Sequence, residues 1–178
     1  MSEISSLTKL MRPPDNPSET PNGGGWESVE ARLGIELPLD YKEFVASYGT
    51  GSVDNFLWVL NPFSQNENLN LDNQAKIRLH AQRQFSEESG LKNPHSLHPD
   101  ANGLFPWGVT DNGDVLYWRG KGDPSTWEVA VCESRASQWR EFKLSVGEFL
   151  AALVTGELVV DIFPDGFPSE APQFVQAG

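Results

Sequence analysis

Residues 105–118 limit the possible folds of this chain more than any other stretch. Asn112-Gly113, flanked by Asp111 and Asp114, interrupts two apolar and aromatic runs that hold two of the six tryptophans. Asn-Gly tolerates the positive φ of tight primed turns, so the pair signals a hairpin. Antiparallel strands over 107–110 and 115–119 follow, at the centre of a sheet. The Asp-Asn-Gly-Asp tip has four readings: a metal loop, a catalytic carboxylate pair, a partner-binding tip, or only a turn.

Ile4, Leu7, Leu10 and Met11 have helical spacing, and Pro13-Pro14 stops that run. Residues 15–25 are rich in Pro, Asn, Ser and Gly and read as a mobile linker. Trp26, Val29 and Leu33 share one helical face that ends at Gly34. Pro38 opens a second helix with Tyr41, Phe44, Val45 and Tyr48 on its apolar side. Residues 50–55 read as a loop, 56–60 as a strand, 71–88 as a helix and 92–103 as a surface loop. Strands over 128–133 and 139–142 complete a β-meander. Ser145 with Glu148 is a capping box, and Leu144 with Phe149 a hydrophobic staple, so a last helix starts there. In the tail, Val159, Ile162, Phe163 and Phe167 are expected to pin its first half, with the end loose. The expected fold is a single α+β domain: a mostly antiparallel central sheet with helices packed against it. Its parts are a short helix and linker (1–25), the main domain (26–160) and a proline-containing tail (161–178).

A chain of 178 residues buries a real core. No apolar run reaches the roughly 18 residues of a membrane helix, and the first residues lack signal-peptide order. Cys132 is the only cysteine, which excludes an internal disulfide and fits a reducing cytoplasm. The net charge is −12, from 13 Lys+Arg against 25 Asp+Glu. Such a surface repels nucleic-acid phosphates and anionic membranes and attracts a basic protein partner. Residues 26–60 carry −4 and residues 141–178 carry −5, so acidity concentrates in the first helical pair and the C-terminal part.

Each candidate for chemistry meets a plainer explanation. A calcium loop starting at Asp111 needs a glutamate at its closing position, and Gly122 stands there. His95, His98, Asp100 and the more distant His80 lack the cysteine pair or His-Glu-x-x-His of zinc sites. Cys132 lies in a strand, where a lone cysteine is a small buried hydrophobe. There is no nucleophile elbow or phosphate-binding glycine motif. No cofactor or metal is expected. Trp26, Trp107 and Trp139 read as core, whereas Trp58 and Trp118 lie in strands with one face possible for contact. The candidate partner-binding residues are therefore Asp54, Trp58, Asp111, Asp114 and Trp118. A hydrolase using Asp111, Asp114 or the His95–His98 loop is the competing enzymatic reading.

Two segments resemble one family. The first runs from Trp26 through Glu30, Leu33-Gly34 and Leu37-Pro38-Leu39-Asp40-Tyr41 to Tyr48-Gly49-Thr50-Gly51. The second is Pro106-Trp107-Gly108-Val109-Thr110-Asp111-Asn112-Gly113-Asp114. Together they are similar to the SUKH superfamily, which joins fungal cell-wall assembly regulators to bacterial immunity proteins, over about residues 20–160. The resemblance implies an α+β fold and no catalysis. For bacterial members it implies a small cytoplasmic binder that neutralises a cognate secreted toxin, often a nuclease. A regulatory interaction module like the fungal members is the alternative. On this resemblance the motif residues are mostly structural and do not by themselves locate the binding face.

Overall fold

The computed structural model describes residues 2–135 and 138–178. Among them, seven strands form one sheet: β1 (Gly51–Val53), β2 (Leu57–Val59), β3 (Phe105–Thr110), β4 (Val115–Arg119), β5 (Glu128–Cys132), β6 (Trp139–Phe142) and β7 (Phe174–Gln176). The order is β6-β5-β4-β3-β2-β1-β7, and every neighbouring pair is antiparallel. Five helices accompany the sheet: α1 (Glu3–Leu10), α2 (Trp26–Leu33), α3 (Leu39–Tyr48), α4 (Leu71–Ser89) and α5 (Val146–Val154). The α+β architecture and the meander through β3–β6 match the sequence reading.

The alternating side chains of the central strands explain why both sheet faces are covered. Leu116 and Trp118 of β4, with Val129 and Val131 of β5, point into the main core, which also takes Leu7, Phe44, Trp107 and Phe149. Val115 and Tyr117, with Ala130 and Cys132, point the other way, into a smaller cluster completed by Leu79 of α4. Buried on both faces, β4 and β5 read as near-continuous apolar runs. Pro106 is the second residue of β3, an interior strand of the sheet, and has no N–H to donate. The β3–β4 register shifts between Pro106 and Gly108, the irregularity at which an interior strand proline is tolerated.

The family-like motif residues fix the helical pair. Glu30 accepts the Leu37 N–H at 2.7 Å and pairs with Lys42, locking the short α2–α3 connection. Asp40 accepts its neighbour Tyr41's N–H at 2.8 Å and the Gly147 N–H at 2.8 Å, joining the starts of α3 and α5. The buried Tyr41 hydroxyl donates to the Leu60 carbonyl at 2.5 Å. The capping box of α5 is present with both of its hydrogen bonds.

Several expectations need correction. Residues 51–53, read as loop, are strand β1. The turn after it holds Asp54 and Asn55 at φ 51° and 55°, and Phe56 N–H closes it on the Val53 carbonyl at 3.0 Å. This is the primed turn that Asn112-Gly113 was expected to make; Asx residues supply it here without glycine. Segment 15–25 is tied to the body. Thr50 N–H donates to the Ser18 carbonyl, and Asn61 Nδ2 donates to the Glu19 carbonyl at 3.0 Å. Gly49 permits this approach: a Cβ there would lie 2.1 Å from the Ser18 oxygen. The first helix is likewise docked, with Ile4, Leu7 and the following Met11 buried and the Tyr48 hydroxyl on the Met11 carbonyl. In the tail Val159 is 83% exposed while Val160 and Phe163 are buried. The tail's second half is held rather than loose, because β7 pairs with β1 from Gly51↔Gln176 to Val53↔Phe174.

Candidate partner-binding surface

The β3–β4 hairpin has a turn end and an open end, and the candidate residues divide between them. At the turn, Gly113 N–H donates to the Thr110 carbonyl at 2.9 Å, and only Gly113, at φ 88°, takes left-handed backbone. Asn112 does not, so this is a turn of ordinary sense closed by a left-handed glycine, a common three-residue hairpin solution.

The two aspartates of the tip have different roles. Asp114 is 2% exposed. One of its carboxylate oxygens accepts the Thr110 hydroxyl at 2.7 Å and the other accepts the Ser134 N–H at 2.9 Å. Its own N–H donates to the Thr110 hydroxyl oxygen at 3.1 Å. A buried carboxylate satisfied in this way staples the turn to the chain leaving β5 and offers nothing to a partner. Asp111 is exposed, and its carboxylate accepts the Trp58 indole N–H at 2.7 Å. Trp58 and Asp111 are thus brought together, across β2 and β3, and both reach the surface.

Asp54 and Trp118 leave the partner-facing set. Asp54 accepts the Ser169 N–H at 2.9 Å and the Gln173 N–H at 2.8 Å, so its carboxylate clamps the tail beside β7. Trp118 is 2% exposed and meets Tyr41 edge-on at 4.9 Å between ring centres. Sequence alternation made one face of β4 a candidate for exposure. Helices on both sides of the sheet bury both faces.

The other ionisable candidates do not assemble a reactive centre. His95 hydrogen-bonds to Glu141 at 2.5 Å, while the His98 imidazole reaches the Leu33 backbone, so the two imidazoles have separate partners. Burial, with help from Arg83, holds the His98 pKa below its usual value, and the imidazole is neutral at pH 7. Among the described residues no three His, Cys, Asp or Glu side chains gather as metal ligands. Burial, and then the nearby Asp114 and Glu133 carboxylates, push the Cys132 thiol up to about 12, which keeps it protonated.

At the open end lies a cavity of about 310 Å³ that the sequence reading did not identify. It lies where β3 begins and β4 ends. Phe105, Trp118 and Trp127 form aromatic walls, and Glu36, His98 and Asp100 are the ionisable side chains that line it. Glu36 and Asp100 are exposed. Trp127 carried no periodic signal. It follows a short loop that holds Gly120 and Gly122.

The family model described as SMI1-KNR4 cell-wall, SUKH_6, matches residues 25–150. The chain belongs to the SUKH superfamily. No curated protein and no solved structure matches it. Membership supports a protein-interaction or immunity-type role for this SUKH domain. The match includes the turn end and most of the hairpin's surroundings, while α1 and β7, which dock on the domain from either terminus, lie outside it. No helix among the described residues is long and apolar enough to cross a membrane.

Proposed function

We propose that this SUKH domain is a non-catalytic intracellular immunity protein that binds and neutralises a basic toxin domain, a nuclease by the charge it must meet. Carboxylates would cover the toxin's phosphate-binding surface, and a partly exposed aromatic group would form the buried centre of the contact. The observation that supports this reading is the state of the acidic groups around the helical pair. In a chain of net charge −12, Glu27, Glu36 and Glu43 make no hydrogen bond or ion pair with the described residues. By contrast Glu30, Asp40 and Asp54 are held by internal donors. Unpaired like charges raise the electrostatic cost of a domain, and a basic partner relieves that cost.

Co-expression with the toxin domain encoded beside this gene is the test. Protection of the cell and a purifiable one-to-one complex are the expected result. No protection and no complex with any neighbour-encoded toxin would remove the immunity reading and favour a regulatory interaction module.

A further inference from the structure

We infer that the cavity at the open end of the β3–β4 hairpin is a socket for a partner's arginine side chain. This rests on the protein-binding reading and gives it a specific anchor. Three observations converge on it.

The first is the wall. Phe105 and Trp118 stack at 6.1 Å with 27° between their planes, and Trp127 stands at 6.2 Å from Trp118 with 58° between theirs. Trp127 is the partly exposed member, so its ring is the one a guest can reach. Its indole N–H donates to the Gly122 carbonyl at 3.3 Å, which fixes the ring. Gly120 makes room for it: a Cβ there would lie 2.1 Å from Trp127 Cδ1. Phe105 and Trp118, 3% and 2% exposed, back the cavity rather than open onto its mouth.

The second is the charge. Glu36 and Asp100, whose side chains have no hydrogen bond or ion pair among the described residues, stand on two different loops of the lining. No lysine or arginine lines the cavity, although Lys121 lies in an adjoining loop. His98 is occupied by the Leu33 backbone and adds no positive charge at neutral pH.

The third is the fit. A partly exposed indole face with two carboxylates on the same cavity matches a planar, weakly hydrated cation that stacks and donates several hydrogen bonds at once, which describes guanidinium better than ammonium. The volume of about 310 Å³ admits one long side chain and excludes a folded segment. An acidic partner would bring its charge against Glu36 and Asp100.

The test is a titration of the full chain with N-acetyl-arginine amide and, separately, with its neutral isostere N-acetyl-citrulline amide. The indole N–H resonances are followed by NMR. Arginine is expected to shift Trp127 saturably, and citrulline to bind about tenfold more weakly, since it lacks the charge that the rings and carboxylates attract. The exposed double variant Glu36→Gln/Asp100→Asn is expected to fold normally and weaken arginine several-fold. No saturable shift, equal binding of citrulline, or unchanged binding by the double variant would overturn the proposal. A toxin complex without arginine binding would leave the immunity reading standing and end this one. Arginine binding without any toxin complex would do the reverse.

Discussion

The two ends of the β3–β4 hairpin carry carboxylates of opposite kinds. At the turn end, Asp114 is buried and doubly hydrogen-bonded, and Asp111 holds the Trp58 indole. At the open end, Glu36 and Asp100 are exposed, have no partner among the described residues and line an aromatic cavity. Acidic residues alone therefore do not mark a binding site. A carboxylate satisfied by internal donors serves the fold, and one left unsatisfied at a cavity mouth is available to a partner. The same division separates Asp54, clamped onto the tail, from Glu27 and Glu43 on the helical pair.

Substitutions at the fold-serving groups sharpen this contrast. The largest loss is expected from Asp114→Ala, which leaves the Thr110 hydroxyl and the Ser134 N–H without their acceptor in a dry site. The unfolding free energy should fall by about 3 kcal/mol, measured by urea denaturation. Asp54→Ala removes two hydrogen bonds at a half-exposed site, with an expected cost of about 1–2 kcal/mol. Its particular signature is faster amide exchange in residues 169–176, confined to the tail and β7. Ser145→Ala should cost about 1 kcal/mol by removing the α5 cap. At the open end, Glu36→Gln/Asp100→Asn should change stability by less than about 0.5 kcal/mol. A larger loss there, or none at Asp114, would break the comparison.

Glu19 offers a pH test of the segment read as a linker. Burial pushes its pKa up, but the Gln65 N–H and the Thr50 and Ser64 hydroxyls outweigh burial and hold it below the ordinary 4.5. A lowered folded pKa contributes stability that is full above the ordinary value and is lost as pH falls through the folded one. Glu19→Gln should therefore be less stable than the natural chain at pH 7, with the difference shrinking once pH falls below the ordinary 4.5 and vanishing below the lowered folded pKa.

Where local chemistry decides, the sequence was legible. The capping box at Ser145 and Glu148, the paired helices ending near Gly34 and Gly49, and the strands of the meander appear where periodicity and caps put them. The misreadings share a non-local cause. β1 spans three residues and is defined by β2 and β7 on its two sides, the latter more than a hundred residues away. Asp54 and Asp114 are acidic residues beside turns, and only the folded chain brings Ser169, Gln173 and Ser134 N–H groups to them. The cavity joins loops from three parts of the chain, and Trp127 sits in a stretch with no hydrophobic period to mark it. Of the five candidate residues, Trp58 and Asp111 were placed together at the surface, bonded to each other. The open end carried no signal that a single sequence displays.

The measurement that bears most directly on this division is the affinity for the neighbour-encoded toxin domain of the natural chain and two variants. These are Glu36→Gln/Asp100→Asn at the open end and Asp111→Asn at the turn end, compared by titration calorimetry. The open-end variant is expected to bind about tenfold more weakly or worse, and the turn-end variant within about twofold of the natural chain. The opposite order, or one affinity for all three, would contradict the assignment of recognition to the open end.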